Sequence, residues 1–454
     1  MPAPQQGTLR QEIRKMAVLG VPVAATQLST MMLGFVDTVM VGRVSVEALS
    51  AAALANVWIF GTLMLANGIL MGLDPVVAQA HGAGDGDRAG RALQTGLILA
   101  LLLSVPIAIA WLYTDRFLLA TGQDPRLVAL AHEYTGVQIL GIPFFLTYAA
   151  LRQYLQGREH MRAALWVILI ANGFNVLFNW MFIFGNGGFP ALGLYGAGIA
   201  TTATRILSFV GLLVWTLGFG LHRGAWVPWS RETWNPRRIA QLLRIGFPVG
   251  LQVSFEMWAF QAAALLAGRL GEVPLAAHTI AINMAALSFM VPLGLAQGAA
   301  TRVGNRIGAG DPRTAQRAAW VSLAMGAAFM CLAALTFVLL RDVLPRIYTT
   351  ERVVLEAASA ILPIAAAFQI FDGTQAVGCG ILRGMGRVRP AMIFNLVSYW
   401  CLALPLGAWL AFSQGWGLAG IWWGLVLGLG VVATSLVAWI RVRGPAHATA
   451  LVTA

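Results

Sequence analysis

Apolar residues run along most of the chain in blocks of about 20, and each block holds one charged residue or none. A helix of about 20 apolar residues is long enough to cross the ~30 Å hydrocarbon core of a bilayer. Short segments rich in glycine, proline and charge separate the blocks, as in HGAGDGD, GNGGFPALG and GAGDP. The pattern predicts twelve transmembrane helices, near residues 14–40, 49–75, 91–113, 128–154, 163–185, 194–220, 241–268, 275–301, 315–340, 354–382, 390–412 and 416–440.

Composition supports a membrane protein and argues against several other classes. Apolar residues make up 58% of the 454 residues and charged residues only 11%, whereas a typical soluble domain is about a quarter charged. A transmembrane β-barrel would show many shorter alternating segments, which the sequence lacks. The three cysteines show no metal-binding spacing, and the sequence has no HExxH motif. The predicted fold class is an all-α polytopic membrane protein.

The basic residues predict the orientation of the spans. Suppose that both termini and the loops after spans two, four, six, eight and ten lie on one side of the membrane. Seven of the 30 lysines and arginines then lie on the other side, and Arg205 lies inside a span. These seven are Arg43, Arg116, Arg126, Arg269, Arg341, Arg346 and Arg352. The remaining 22 (30 − 7 − 1) mark the cytoplasmic side. We therefore expect both termini in the cytoplasm and no nucleic-acid partner, despite the net charge of +12. The apolar run after Arg10, Arg14 and Lys15 resembles a signal sequence but lacks a clean cleavage site, so we expect a retained first span.

The two halves of the chain repeat one another at an offset of 226 residues. The matched positions include Gly68 with Gly294, Gly72 with Gly298, GAGD at 82–85 with GAGD at 308–311, and Arg91 with Arg317. Such glycine-rich loops can imitate a phosphate loop, but this one follows no strand and recurs in the repeat, so we expect a turn. Because the offset covers six spans, an even number, the halves should share one orientation.

The repeat predicts how the chain is divided into domains. We expect two pseudo-symmetric six-helix bundles, related by a pseudo-two-fold axis along the membrane normal. The N-lobe would comprise residues 1–221, a cytoplasmic linker residues 222–240, and the C-lobe residues 241–454. Parallel repeats of this kind place substrate sites near the midplane between the halves.

Three acidic residues lie inside predicted spans, where a charge costs several kcal/mol unless it is paired, hydrated or neutralised. They are Asp37 in span one, Glu256 in span seven and Asp372 in span ten. Glu256 lies between Arg244 and Arg269, near the middle of the bilayer. Apart from Arg14, Lys15 and Arg244 at the span ends, the three spans contain no basic residue. We therefore expect the acids to face water-filled cavities and to bind protons, a metal cation or a cationic substrate. The alternative is a protonated acid that hydrogen-bonds another helix.

Amide and aromatic side chains inside the spans could contribute to the same sites. Asn172, Asn175 and Asn179 share one face of span five, and their oxygens could help a carboxylate to bind a cation. Hydrogen bonding between helices is the alternative for these asparagines. Trp180 and Trp258 could stack on an aromatic cation, and packing against lipid or core is the alternative for both.

Several of these segments resemble the multidrug and toxic compound extrusion (MATE) family, in its NorM branch. They are FVDTVMVG in span one, NxxxN in span five, SFEMW in span seven and FDGTQ in span ten. The resemblance covers about residues 10–441 and implies a V-shaped pair of six-helix bundles around a central cavity, in a bacterial inner (plasma) membrane. It places Glu256 and Asp372 at a C-lobe cation site, and it places Asp37, Asn175 and Asn179 at an N-lobe site.

The resemblance also implies a function. The chain would export amphipathic, mostly cationic compounds by alternating access, driven by inward Na⁺ or H⁺. Substrate would bind near Asp37, Asn172, Glu256, Trp258 and Asp372, and Na⁺ could bind Glu256 and Asp372. One departure is Phe368, where some relatives are expected to have a tyrosine whose hydroxyl would strengthen an oxygen cage for Na⁺.

The expected partners are small-molecule amphipathic cations and the lipid bilayer, with the chain as a monomer. We expect no enzyme activity and no cofactor, because the spans contain no nucleophile–base pair and no set of metal ligands. The alternatives are a flippase or exporter of a lipid-linked or endogenous metabolite, and an ion channel.

Overall fold

The computed structural model describes residues 8–451; residues 1–7 and 452–454, at the ends of the two predicted lobes, lie outside the described residues. Every regular element in the described part is helical. The α-helices are α1 (Leu9–Gly42), α2 (Val46–Leu70), α3 (Leu73–Gly82), α4 (Gly86–Leu112), α5 (Thr114–Ala120), α6 (Pro125–Gln138), α7 (Gly141–Gly157), α8 (Met161–Phe182), α9 (Gly193–Gly218), α10 (Pro236–Arg269), α11 (Glu272–Gly308), α12 (Pro312–Leu339), α13 (Arg352–Gly384), α14 (Arg389–Leu396), α15 (Leu404–Ala408) and α16 (Gly417–Arg443). Two π-helical segments follow α14 and α15, at Val397–Ala403 and Trp409–Ser413. Short 3₁₀ helices lie at Arg231–Trp234, Leu344–Ile347 and Pro445–His447.

The helices confirm the predicted class of polytopic membrane protein. Within residues 8–451, eleven helical stretches are long and apolar enough to cross a membrane, and α6 with α7 makes a twelfth if the pair is one span. The axes of α6 and α7 meet at 54°. The bend precedes Pro143, which has no N–H to donate to the carbonyl of Ile139 four residues earlier. That carbonyl accepts instead from the N–H of Ile142 at 3.1 Å.

The two GAGD loops are turns of the same structure. Gly84 and Gly310 each have a φ of 72°, a left-handed conformation that glycine adopts without steric cost. In both turns the aspartate N–H donates, at 2.9 Å, to the carbonyl five residues earlier. The carboxylates of Asp85 and Asp311 then cap the helices that follow, α4 and α12. The repeated motif therefore ends one helix and begins the next. In the second copy α11 continues up to the turn at Gly308, beyond the predicted end at residue 301.

Glycines related by the repeat also make matching helix contacts. A Cβ placed at Gly68 of α2 would meet the Cα of Gly250 of α10 at 2.6 Å. A Cβ placed at Gly294 of α11 would meet the backbone N of Ala24 of α1 at 2.5 Å. Both glycines (294 − 68) and both partners (250 − 24) are 226 residues apart. Glycine lets two helix backbones approach closely at each point, so the sequence repeat is also a repeat of packing.

Packing divides the described residues into two units. Unit 1 comprises residues 8–25 and 251–451, and unit 2 comprises residues 26–250. The helices α1 and α10 therefore each belong to unit 1 along one part and to unit 2 along the other. The changes fall just after Pro22 and Pro248, the prolines inside these two helices. The predicted lobe limits at residues 221 and 241 come from the sequence repeat. The packing units are defined differently, by the helix segments that contact one another.

Aromatic side chains fill one part of the core of unit 1. Phe260 of α10 lies 5.7 Å from the ring of Tyr399 and 5.9 Å from that of Phe368. Phe368 also lies 5.5 Å from the ring of Trp422. The rings meet edge to face, an arrangement that their quadrupoles favour. Because Phe368 is buried, the face of α13 that carries it, and Asp372 one turn later, is turned into unit 1.

The segment that follows α9 is bound to unit 2 by side chains of α4 and α7 and by Arg158, which directly follows α7. The bonds run from Arg158 to the carbonyls of Leu221 and Arg223 (2.9 Å to the latter), from the Tyr154 hydroxyl to the carbonyl of Ala225 (2.6 Å), and from the Gln94 amide to the carbonyl of Val227 (2.7 Å). These donors satisfy backbone carbonyls that lie outside any regular helix. Residues 221–227 therefore follow a fixed path over unit 2.

Replacing Arg158 should loosen this segment. The Arg158→Met variant loses two charge-assisted hydrogen bonds to this segment and a third to the Tyr154 hydroxyl, and each such bond contributes about 1.5–3 kcal/mol. We expect trypsin to cleave after Arg223 about tenfold faster in the folded protein, because cleavage needs local opening. Arg162→Met, a change at an exposed arginine of α8, is the control and should leave the rate unchanged. Equal cleavage rates in Arg158→Met and in the unchanged chain would contradict this role.

Candidate functional site

Two of the acids singled out in the sequence lie together in unit 1. Glu256 of α10 and Asp372 of α13 are close enough for their carboxylates to interact electrostatically. Asp372 is 5% exposed and Glu256 is half-buried. The side-chain amide of Gln375, almost one turn after Asp372, donates to Oε2 of Glu256 at 3.1 Å. We call Glu256 and Asp372 the acid pair.

Buried polar side chains hold Gln375 in place. Its Nε2 also donates to Oδ1 of Asn395 at 2.6 Å, and the Tyr399 hydroxyl donates to its Oε1 at 3.1 Å. Asn395 in turn donates to the carbonyl of Ala391 at 2.8 Å. Gln375, Asn395 and Tyr399 were not predicted from the sequence as members of this site. The spacing of Asn395 and Tyr399 was the available signal, because they lie four residues apart in a span that is apolar apart from them and Ser398.

The acid pair has acceptor capacity that the protein does not use. Oδ1 of Asp372 is buried and accepts no hydrogen bond from the described part of the chain. None of the ion pairs found between residues 8 and 451 includes Glu256 or Asp372. An ionised carboxylate accepts at both oxygens, and burying it without a counter-charge is costly. The geometry therefore suits a site that takes up a proton or a cation.

Phe368 lies in the aromatic cluster, with 1% of its surface exposed and its ring edge-on to Phe260 and Trp422. It contributes no polar group to the acid pair. A tyrosine hydroxyl reaches the same network from elsewhere, because Tyr399 donates to Gln375. Tyr399 lies in the π-helical segment Val397–Ala403, and such segments are frequent at functional sites.

The third acid has its own polar site in unit 2. Asn179 of α8 donates to Oδ1 of Asp37 at 2.5 Å and to Oδ1 of Asn175 at 3.2 Å. Thr201 of α9 donates to Oδ2 of Asp37 at 3.3 Å. Oδ1 of Asn179 is buried and has no hydrogen-bond partner in the described chain, so a neutral oxygen remains beside the carboxylate. Asp37, Asn175 and Asn179 thus come together, and Thr201 is a further member that was not predicted from the sequence.

Arg205 of α9 lies close enough to Asp37 to interact with it electrostatically. The two side chains do not form one of the ion pairs found within residues 8–451. The Arg205 guanidinium lies over the rings of Phe145 and Trp111, at 5.6 and 5.9 Å from their centroids. The arginine predicted to lie inside a span is therefore held by aromatic faces as well as by the field of Asp37.

Three other predicted residues lie apart from the acids. The Asn172 amide donates to the carbonyl of Ser29 at 2.8 Å, two helical turns from Asn179. Trp258 is 44% exposed and lies two residues after Glu256, or ~200° around α10, so it points away from the acid pair. Trp180, at 47% exposed, follows the buried Asn179 directly and faces away from it.

The available oxygens define which ions these sites suit. No three histidine, cysteine, aspartate or glutamate side chains gather for a metal ion anywhere in residues 8–451. Each site offers one or two carboxylates together with neutral amide or hydroxyl groups. Such a set is unlike the histidine and thiolate ligands that select transition metals, and it suits a hard monovalent cation or a proton.

The chain belongs to the MatE family, whose model matches residues 22–181 and 248–409. The two matches begin 226 residues apart (248 − 22), so each covers one copy of the repeat. A protein of Mesorhizobium japonicum named "Probable multidrug resistance protein NorM" is 38% identical over 448 residues, which cover 95% of this chain and 94% of that protein. The "Multidrug resistance protein PmpM" of Pseudomonas aeruginosa is 35% identical over 429 residues, which cover 93% of this chain and 89% of that protein. These findings confirm the resemblance to the MATE family and its NorM branch.

Solved structures match the fold closely. The crystal structure of the eukaryotic MATE transporter AtDTX14 has a TM-score of 0.88 at 22% identity, over 96% of this chain and 98% of that one. A MOP superfamily transporter from Pyrococcus furiosus has a TM-score of 0.84 at 20% identity, over 96% of each chain, and the reverse polarity of its binding pocket is described as suggesting a different function. At these identities the likeness shows the fold alone.

Proposed function

We propose that this chain is a secondary active multidrug exporter that antiports amphipathic, mostly cationic organic compounds against Na⁺ or H⁺ by alternating access. The acid pair carries the proposal: two carboxylates lie inside membrane-spanning helices, in none of the ion pairs of residues 8–451. The names of the Mesorhizobium japonicum and Pseudomonas aeruginosa relatives, both multidrug resistance proteins, support the export of drugs.

The coupling follows from competition for negative charge. Substrate and coupling ion bind the same acids, or the same conformation, so that each weakens the binding of the other. When the ion binds from outside, it removes the attraction that holds a cationic drug, and the drug leaves. The helices then rearrange, and the inward-facing state releases the ion and admits the next drug molecule.

Two places can receive the coupling ion. One is the acid pair, Glu256 with Asp372, and the other is Asp37 with Asn175 and Asn179. A proton needs only one carboxylate in a desolvated place, whereas Na⁺ needs several oxygens at once. The neutral oxygen of Asn179 beside Asp37 supports cation coordination in unit 2, and Gln375 and Tyr399 supply the polar surroundings in unit 1.

The sign of the site charge supports cationic cargo. The fold alone does not fix the cargo, because a transporter of the same fold is described with a pocket of reverse polarity. A lipid-linked anion, the cargo of a flippase, would be repelled by Glu256 and Asp372. We therefore favour an exporter of cations. The proposal also includes that the chain works as a monomer in a bacterial inner membrane, with both termini in the cytoplasm. It needs no cofactor and catalyses no reaction.

Transport by purified protein in liposomes tests this function. Liposomes carrying the chain should move ethidium when a Na⁺ gradient or a pH gradient is imposed, and the gradient that drives transport identifies the ion. Liposomes without protein are the control. Ethidium movement under neither gradient would overturn the proposal. Ion current without any substrate would favour a channel instead.

Two asparagines on one face of α8 provide a matched pair of variants. Asn179→Ala removes a hydrogen bond to the Asp37 carboxylate, and bonds to charged groups contribute about 1.5–3 kcal/mol. We expect it to slow ethidium efflux about fivefold or more. Asn172→Ala loses only a bond to the Ser29 carbonyl and should transport at nearly the unchanged rate. Equal effects of the two variants would contradict the role given to Asn179.

A further inference from the structure

A cavity of about 150 Å³ lies in unit 2, where α10 begins beside α3 and α4. Its polar lining consists of Asp85, Arg88, Arg91, Thr95, Arg238 and Gln241. Drug-sized ligands occupy pockets of about 300–1,000 Å³, so this cavity is too small for the proposed cargo. It fits a compact group of a few heavy atoms.

The charge of the lining is positive. Three arginines from two helices face one aspartate, and all three guanidinium groups belong to half-buried residues. The Asp85 carboxylate caps α4, where its Oδ1 accepts from the N–H of Arg88 at 2.9 Å. Its negative charge therefore already stabilises the N-terminal end of α4. The cavity keeps an excess of positive charge together with the N-terminal end of α4.

Apolar side chains form the remainder of the wall, and they strengthen the field of the arginines. Leu73 and Val76 of α3 and Leu242 of α10 are buried beside the cavity. Low-polarity walls reduce the screening of nearby charges. An anion in this place would meet guanidinium groups, which match the oxygens of a phosphate in paired hydrogen bonds.

The repeat offers a built-in comparison. The counterpart of Arg238 in the other half is Glu12 (238 − 226), which pairs with Arg302 at 2.6 Å in unit 1. The counterpart of Arg88 is Thr314 (88 + 226). Two further counterparts are basic, because Arg302 stands at the position of Val76 and Lys15 at that of Gln241. The equivalent place in unit 1 therefore has three basic residues, Lys15, Arg302 and Arg317, against two acids, Glu12 and Asp311. The cavity in unit 2 has three arginines against one acid, so its excess of positive charge is the larger of the two.

We propose that this cavity is a binding site for a phosphate group, supplied by the headgroup of an anionic phospholipid or by free phosphate. The three arginines lie on the side of the membrane predicted to be cytoplasmic, where anionic lipids attract basic residues. The site is separate from the acids proposed to couple transport, and it does not depend on the proposed function. A bound headgroup would link α4 to the first part of α10.

Binding to the purified full-length chain in detergent tests the site. The probes are dioctanoyl phosphatidylglycerol, inorganic phosphate, and dioctanoylglycerol, which has no phosphate. Arg91→Gln and Arg238→Gln should each weaken phosphatidylglycerol binding about tenfold, and added salt should weaken it further. Arg238→Lys, which keeps the charge, should bind more tightly than Arg238→Gln. Arg244→Gln, on the exposed side of α10 and outside the cavity, should bind like the unchanged chain.

The outcomes separate the two sources and can refute the site. Binding of both phosphate and phosphatidylglycerol, weakened by Arg91→Gln, would support a site for free phosphate as well as for lipid. Binding of phosphatidylglycerol alone would support a lipid headgroup site. The proposal fails if phosphatidylglycerol binds no more tightly than dioctanoylglycerol, or if Arg244→Gln weakens binding as much as Arg91→Gln. The melting temperature of each variant without ligand shows whether that variant is folded. If Arg238→Gln is not folded, the binding measured for Arg91→Gln and for Arg238→Lys decides the question.

Discussion

Cells that carry the Glu256→Gln or the Asp372→Asn chain are expected to extrude ethidium and norfloxacin at least about tenfold more slowly than cells with the unchanged chain. Each substitution keeps the size of the side chain but removes a negative charge from the acid pair. Coupling between two ligands typically amounts to about 5- to 150-fold in affinity, and neutralising an acid of the pair removes its source. Efflux from dye-loaded cells, at equal amounts of protein in the membrane, measures the effect.

A second glutamate in unit 1 provides the control for this prediction. Glu272 is exposed at the first turn of α11, and Glu272→Gln makes the same chemical change away from the acid pair. It should leave efflux close to the unchanged rate. If Glu256→Gln and Asp372→Asn both transport normally, the acids do not couple transport and their buried carboxylates need another explanation.

Breaking the ion pair between Glu12 and Arg302 should cause the largest loss of stability. Two contacts join the side chains, Nη2 to Oε1 at 2.6 Å and Nε to Oε2 at 3.1 Å. Their exposed fractions are only 2% and 6%. Removing one partner of a buried pair leaves a charge without compensation and costs about 3–5 kcal/mol. Arg302→Met should therefore lower the free energy of unfolding in detergent by about that amount.

Two further variants separate the charge from its packing. Glu12→Gln combined with Arg302→Met removes both charges and should recover much of the stability lost by Arg302→Met alone. Arg352→Met breaks an ion pair whose side chains are 90% and 67% exposed, and it should leave unfolding unchanged. If Arg302→Met unfolds like Arg352→Met, the first part of α1 is not held in unit 1 by this pair.

Most of the fold followed from patterns that act locally. The length of the apolar runs predicted the membrane spans. The repeated glycines marked points of helix contact, because Gly68 and Gly294 each lie against the backbone of another helix. The GAGD motif marked helix ends because glycine alone takes the left-handed conformation easily. The break between α6 and α7 lies just before Pro143, and a proline inside an apolar run predicts a bend but not that the bend is as sharp as 54°.

The candidate site was predictable only in its charged members. Asp37, Glu256 and Asp372 stand out because charge is rare in a membrane span. Gln375, Asn395 and the other neutral partners do not, because a single amide in an apolar span is also typical of ordinary helix contacts. Pairing Glu256 with Gln375 depends on how α10 packs against α13, across 119 residues of sequence. Local patterns carry no information on such a contact.

Equilibrium binding of tetraphenylphosphonium to the purified chain, measured across Na⁺ concentrations and pH, tests the central claim most directly. We predict that added Na⁺ or added protons weaken binding of this organic cation, and that Glu256→Gln with Asp372→Asn abolishes this dependence. An affinity for tetraphenylphosphonium that responds to neither ion in the unchanged chain would contradict the claim that cargo and coupling ion compete for the buried acids.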